Sequence, residues 1–155
     1  LVASLMQQLR SDGFYTVPAE LLKKIQSRFW AGCCGDEATE ETIRDVWERH
    51  SYLCDTHTAV AWNVARQYEK AAESTDPMVV LSTASPYKFP AAVLSAIGAK
   101  CAGDEFDMMS ALEKATGVAM PANLRSLRER PVLHTGCVKP GEMRGYVLDL
   151  LEGKT

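Results

Sequence analysis

The sequence predicts an α/β fold, specifically a helix-rich fragment of a three-layer αβα arrangement with a few mostly parallel, buried strands. Apolar residues recur at helical spacing in about seven segments. Residues 77–84, PMVVLSTA, instead form a continuous apolar run, as is typical of a parallel strand covered on both faces. Helices that alternate with such strands build layered α/β domains.

Turn and capping residues predict where the helices begin and end. The first helix carries Val2, Leu5, Met6 and Leu9 and ends at Asp12-Gly13. The later starts are predicted at Pro18, at Thr39 as a cap, at Asp55 or Thr56 as a cap, at Pro90, after Gly103, at Pro121 and near Met143. The helix after Gly103 is predicted to end at Gly117. The fourth helix has an alanine-rich face that is expected to pack close to a neighbour.

Three segments are predicted as strands: FWAGCC (29–34), PMVVLSTA (77–84) and VLHTGCV (132–138). A complete α/β domain usually has about as many strands as helices, whereas this chain has only three predicted strands and none before its first helix. We therefore expect residues 1–155 to form a single domain that is one part of a larger protein.

Composition excludes several classes of function. The chain has 155 residues, of which 46% are hydrophobic and 24% charged, with a net charge of −3. This balance predicts a folded domain without a nucleic-acid-binding surface. No apolar run approaches the roughly 20 residues needed to cross a membrane. We expect a cytoplasmic protein.

Metal binding is not expected either. The chain has five cysteines and three histidines, but none of them shows the spacing of a zinc site. Because five is odd, at least one cysteine cannot be paired within the chain. Reduced, mostly buried thiols are the expected state.

Two short stretches are candidate binding sites. Ser82, Thr83 and Ser85 follow the predicted strand, at the sheet edge where α/β proteins bind ligands. The alternative is an ordinary turn in which Ser85 caps the next helix and Lys88 is a solvated charge. At residues 55–60, a helix start with His57 can bind an anion, or its polar residues cap the helix and nothing more.

Together these stretches resemble the threonine synthase family in its C-terminal portion. The family pattern is D-P-H-T/S-A-V, followed about two dozen residues later by L-S-T-A-x-P-x-K-F. The chain has DTHTAV at 55–60 and LSTASPYKF at 81–89, with Thr56 where proline is usual. The segments 29–43 and 130–143 resemble two further family segments, so the similarity extends over nearly the whole chain.

The resemblance implies a pyridoxal-phosphate enzyme that converts O-phospho-L-homoserine and water to L-threonine and phosphate, a carbon-oxygen lyase reaction. It implies that Thr83, with Ser82 as the alternative, contacts the pyridine nitrogen of the cofactor. Ser85, Lys88 and His57 are candidate contacts of the substrate. For Lys88, a structural ion pair is the other possibility and the preferred one.

The same resemblance implies what this chain does not contain. The lysine that forms the Schiff base with the cofactor lies outside this segment of the family, so no catalytic residue is assigned here. We expect the isolated chain to be inactive, to bind no pyridoxal phosphate, and to dimerise through exposed apolar surface. The alternative functions are those of a small α/β module that binds an anionic metabolite and of a helical interaction domain.

Overall fold

A computed structural model describes residues 1–153 of the chain, and eight α-helices occur within this range. They are α1 (Val2–Asp12), α2 (Ala19–Gln26), α3 (Asp36–His50), α4 (Thr56–Ala72), α5 (Pro90–Ala96), α6 (Glu105–Thr116), α7 (Ala122–Arg125) and α8 (Met143–Leu151). Short 3-10 turns cover Pro86–Lys88, Ser126–Glu129 and Pro140–Glu142. The chain divides into two compact units, before and after the junction of Met120 and Pro121.

The core of the first unit lies between four helices. Helix α3 packs against α4 and α5, and α5 packs against α6. The side chains that they bury are mainly aliphatic and include Ile43, Val46, Ala59, Val93, Leu94 and Leu112. Burial of this apolar surface is the main force that holds the helices together.

Polar contacts tie α3 to its two neighbours. Asn63 Nδ2 of α4 donates to Thr42 Oγ1 at 3.1 Å. Arg44 Nε donates to the carbonyl of Ala96 at 2.7 Å, where the last carbonyls of α5 have no partner within the helix. Because hydrogen bonds are directional and apolar contacts are not, these two bonds help to fix the orientation of α3 relative to α4 and α5.

Several predicted helix ends are confirmed. Gly13 and Gly117 end α1 and α6 with φ angles of 79° and 70°, a left-handed conformation that glycine adopts at low cost. Asp55 is the N-cap of α4, and Pro90 is the first residue of α5.

The predicted cap of α3 is wrong. The helix begins at Asp36, with Gly35 as its N-cap, and Thr39 lies inside its first turn, where its hydroxyl donates to the carbonyl of Gly35 at 2.8 Å. The acidic first turn, Asp36 and Glu37, explains the earlier start, because carboxylates stabilise the positive end of a helix dipole.

The predicted strands are also wrong for this structure. Residues 29–34, 77–84 and 132–138 are irregular, and no strand occurs within residues 1–153. Nor is the central run buried, since Val79 is 80% exposed and Leu81 is 72% exposed. A strand needs a hydrogen-bonded neighbour, and no described segment pairs with this one. The helical part of the predicted α/β fold is therefore present without its sheet.

The second unit contains α7, α8 and two 3-10 turns. Before α8, the Glu142 carboxylate accepts from the Lys139 amide at 3.1 Å and so caps the preceding turn. The apolar side chains of α8 are mostly exposed within this unit. Tyr146 is half-buried, while Val147 and Leu151 are exposed.

The prediction of mostly buried thiols is wrong as well. All five cysteines are free, but only Cys54 is buried, and Cys33, Cys101 and Cys137 are exposed. In the part of the chain that the structure describes, no helix has the length and apolar character needed to span a bilayer. No group of three potential metal ligands occurs there either.

The helical core can be tested with one truncation. Leu112 is fully buried, so we expect Leu112→Ala to lower the free energy of unfolding by about 2–5 kcal/mol, through lost burial and the cavity that remains. Leu133→Ala removes the same atoms from a side chain that is 79% exposed and should change it by less than about 0.5 kcal/mol. Urea denaturation measures both; equal effects would contradict the assignment of the core.

Candidate functional site

The two sequence motifs of the candidate site meet at the N-terminus of α4. Thr58 Oγ1 and Ser82 Oγ are 3.3 Å apart. The rings of His57 and Phe89 lie with their centroids 5.0 Å apart. The structure thus brings residues 55–60 next to residues 82–89.

Asp55 is the central side chain of this contact. Its backbone is extended at φ −80° and ψ 170°, the usual geometry of an N-cap. Its Oδ1 accepts from the amides of His57 at 2.9 Å and Thr58 at 3.3 Å. The Thr58 hydroxyl donates to Oδ2. All of these donors come from the first turn of α4.

Asp55 is a carboxylate with no exposed surface, and its ionisation needs an explanation. Burial acts to raise the pKa of Asp55, but hydrogen bonds from the Thr58 hydroxyl and from the amides of His57 and Thr58, with the nearby His57 ring, outweigh it. The net pKa is lower than the ordinary value, because each donor stabilises the charged form. The group is therefore ionised at neutral pH.

Cys54 is affected by the same carboxylate. Burial, with a further contribution from the negative charge of Asp55, raises the pKa of the Cys54 thiol to about 11. A thiol with so high a pKa is protonated at neutral pH and is a poor nucleophile. Cys54 is thus a packing residue.

Thr56 stands where the family pattern has proline, and the structure accommodates both. It is the first residue of α4, a position where no intrahelical partner exists for the amide and where proline is favourable. The Thr56 hydroxyl lies 3.4 Å from His57 Nδ1. His57 Nδ1 is also 3.3 Å from Asp55 Oδ1, and its side chain is largely exposed.

The loop that follows residue 81 is anchored at its C-terminal end. Ser85 has an extended backbone, which is usual for a residue before proline, and its Oγ accepts from the Tyr87 amide at 3.3 Å. Tyr87 is buried, and its hydroxyl donates to the carbonyl of Val118. Lys88, which completes this 3-10 turn, is exposed.

The side chains predicted to contact ligands are accessible. Ser82 and Thr83 are exposed, and Ser85 is half-buried. Lys88 forms no ion pair with any residue among 1–153, so the preferred structural ion pair is absent from this part of the chain. A cavity of about 540 Å³ borders Thr56 and His57, but Asp36 and Glu40 also line it, and their negative charges disfavour a phosphate there.

The sequence predicted Asp55 or Thr56 as the cap of α4 and residues 55–60 as an anion site or a capping motif, but no contact between Thr58 and Ser82. The contact of Thr58 with Ser82 joins residues separated by 24 positions, and nothing in local spacing predicts it. The presence of both residues in the two motifs was the available signal. Phe89 was missed as a neighbour of His57 for the same reason.

Comparisons with known proteins identify similar sequences. The family model described as threonine synthase, C-terminal, matches residues 58–137. A threonine synthase from Pseudomonas aeruginosa is 35% identical over 92 residues, 59% of this chain. A threonine synthase-like 1 protein from Macaca fascicularis is 32% identical over 100 residues, 64% of this chain.

A solved structure is similar over most of the chain. The crystal structure of PLP-bound threonine synthase from Brucella melitensis matches 94% of this chain with a TM-score of 0.66 and 35% identity. The chain spans 27% of that protein, and it spans 19% and 13% of the Pseudomonas and Macaca relatives. The similarity therefore concerns one region of much longer proteins.

The lowered pKa of Asp55 predicts a pH dependence of stability. A carboxyl group whose pKa is lower in the folded state contributes stability above its unfolded pKa of about 3.9, and this contribution is lost as the pH falls through the folded value. We expect Asp55→Asn to flatten the acid side of the stability profile, measured as the urea midpoint between about pH 2 and pH 5. Asp76→Asn, in an exposed loop, is the control. Profiles of the same steepness in the parent and Asp55→Asn would contradict this role.

Proposed function

The chain belongs to the threonine synthase family, through that family's C-terminal region, and from this premise we propose that it forms the C-terminal part of the large domain of a threonine synthase. In that role it contributes to the conversion of O-phospho-L-homoserine and water to L-threonine and phosphate. The observation that carries the proposal is the meeting of the two family motifs at the start of α4, through Thr58–Ser82 and His57–Phe89.

We propose pyridoxal phosphate as the cofactor of the whole enzyme. The Brucella relative is described as PLP-bound, and the hydroxyls at positions 82 and 83 suit such a ligand. Both are uncharged and exposed, and a neutral pyridine nitrogen accepts one hydrogen bond from such a group. When bound, the cofactor supplies the electron sink of the reaction.

Within the chain, Thr83 is the proposed contact of the ring nitrogen, with Ser82 as the second choice. The Ser82 hydroxyl lies 3.3 Å from that of Thr58, whereas the Thr83 hydroxyl has no hydrogen-bond partner among residues 1–153. A hydroxyl without an internal partner can donate fully to a ligand. This difference favours Thr83.

Lys88, Ser85 and His57 are the proposed substrate contacts. Lys88 supplies a positive charge that no described carboxylate neutralises, which suits a phosphate. Ser85 caps the 3-10 turn that ends at Lys88, and Phe89, the next residue, packs against His57. The three side chains are thereby kept in one neighbourhood.

The isolated chain is proposed to be inactive, because it has no assigned catalytic lysine. That residues 1–155 act as one domain, and that they work in the cytoplasm, stay predictions. The metabolite-binding module and the helical interaction domain have no observation that favours them.

A chimera tests the proposed function. The matching region of the Pseudomonas aeruginosa threonine synthase is replaced by this chain, and phosphate release from O-phospho-L-homoserine is measured. We expect an active chimera in which Thr83→Val lowers kcat/KM roughly 10- to 100-fold, the cost of a lost hydrogen bond to the ring nitrogen. Thr83→Ser keeps the hydroxyl and should stay within about threefold.

Thr75→Val, at an exposed position outside the site, is the matched control and should have the activity of the parent chimera. Full activity in Thr83→Val would remove Thr83 from the cofactor site. Phosphate release by the isolated chain with pyridoxal phosphate would contradict its proposed inactivity.

We further propose that the isolated chain dimerises through residues 77–83. This segment contains the exposed side chains of Val79 and Leu81, and it has no strand neighbour among the described residues. An apolar segment with unpaired backbone groups readily pairs with an identical one. A second copy of the chain therefore satisfies both its backbone and its side chains.

The dimer can be tested by sedimentation equilibrium. We expect the parent chain to self-associate, and Val79→Lys with Leu81→Lys to weaken association at least about tenfold, because both charges would be desolvated at the contact. Ala71→Lys with Thr75→Lys adds the same charge at exposed positions outside the segment and should leave association unchanged. A monomeric parent chain, or equal loss in both variants, would reject this interface.

A further inference from the structure

A small cavity lies beside the second half of α4, away from the candidate site. It has a volume of about 310 Å³. The side chains that border it come mainly from one face of α4 and from the segment that follows the helix, and they include Trp62, Arg66, Glu69, Met78 and Val80. Since a helix rises about 1.5 Å per residue, Arg66 lies roughly 13 Å along α4 from His57. This cavity is therefore separate from the site at the start of α4.

The cavity carries a negative charge without a cation. Charged residues three apart on a helix are neighbours, and opposite charges at this spacing commonly pair. Arg66 instead contacts Asp45 of α3, with Nη1 3.1 Å from Oδ2. Glu69 is half-buried and forms no ion pair with any residue among 1–153. Its carboxylate is thus available to a cationic group in the cavity.

Arg66 keeps donors for a ligand. A guanidinium has five N–H groups, and the contact with Asp45 uses Nη1 alone. Asp45 is also bound by Arg49, whose Nε lies 2.5 Å from Oδ1. Because two guanidinium groups share this one carboxylate, the positive charge of Arg66 is only partly compensated. A guanidinium in this state can bind a second carboxylate strongly.

The rest of the cavity wall is apolar. The rings of His50 and Trp62 pack with their centroids 5.7 Å apart, which restricts the indole. Met78 is 40% exposed and Val80 is half-buried, whereas Val79 between them is 80% exposed. The side chains at 78 and 80 therefore cover the cavity. Apolar walls with a few placed polar groups are typical of sites for small molecules.

We propose that this cavity binds a zwitterionic α-amino acid with an aliphatic side chain. Its carboxylate binds the guanidinium of Arg66, and its ammonium group binds the carboxylate of Glu69. The aliphatic side chain lies against the apolar wall. An amino acid carries both charges on one carbon, which matches two opposite charges about one helical turn apart. A simple anion or a simple amine would satisfy only one of them.

The test uses the whole chain, labelled with ¹⁵N, and L-valine as the probe. We expect the indole N–H signal of Trp62 to shift saturably in NMR spectra, with a Kd of about 1 mM for so small a ligand. Trp30, whose ring contacts Tyr68 and does not border this cavity, is the internal control. Absence of a saturable Trp62 shift up to about 20 mM L-valine would overturn the inference.

Analogues that lack one charge test the zwitterion. L-Valinamide keeps the ammonium group, and N-acetyl-L-valine keeps the carboxylate. Each should bind at least about tenfold more weakly than L-valine, because one charge-assisted contact is lost. If N-acetyl-L-valine binds as well as L-valine, the cavity recognises an anion only; if L-valinamide does, it recognises a cation only. Either result would reject the proposal.

Variants connect the binding to the two charges. Glu69→Gln and Arg66→Gln should each weaken L-valine binding at least about tenfold. Arg49→Gln removes the other guanidinium on Asp45, and Glu41→Gln removes an exposed carboxylate of α3. Both are matched controls and should stay within about twofold of the parent. Equal losses in the variants and the controls would contradict a specific site.

The analogues keep the proposal testable if a variant does not fold, because they are measured on the parent chain. The inference goes beyond the proposed function and needs neither cofactor nor activity. An inactive chimera would reject the proposed function and leave L-valine binding unchanged, so the two failures are distinguishable.

Discussion

The candidate site depends on the hydrogen bonds that the buried carboxylate of Asp55 accepts. It has no exposed surface, and it is balanced by hydrogen bonds from the Thr58 hydroxyl and two amides at the start of α4. Without these donors an ionised group would not tolerate such burial. The same bonds fix the Thr58 side chain, and through it the position of Ser82.

The loop that carries the candidate ligand contacts is held at both ends. Near its start, Ser82 is fixed against Thr58. Beyond it, Tyr87 is buried and bonds to the carbonyl of Val118, and Pro90 leads directly into the packed helix α5. Such anchoring leaves Thr83 accessible while limiting the conformations of the loop, which is what a binding site on a rigid scaffold requires.

Residues 77–83 show that a run of apolar residues does not by itself establish a buried strand. Its composition is that of a buried strand, yet Val79 and Leu81 lie on the surface. Burial and strand pairing both require a neighbour, and the described residues provide none. The chain corresponds to 27% of the solved relative. The apolar pattern therefore favours a paired and buried strand, but the described residues supply no strand to pair with it.

Local chemistry was enough to predict several helix ends, because Gly13 and Gly117 adopt left-handed backbone conformations and Asp55 accepts from the amides of the first turn wherever the helix lies. The motifs likewise sufficed to recognise the family. Only the tertiary structure decided that Thr58 contacts Ser82 and that 77–84 is no strand here. Both outcomes depend on contacts between residues distant in sequence, and a spacing rule contains no information about such contacts.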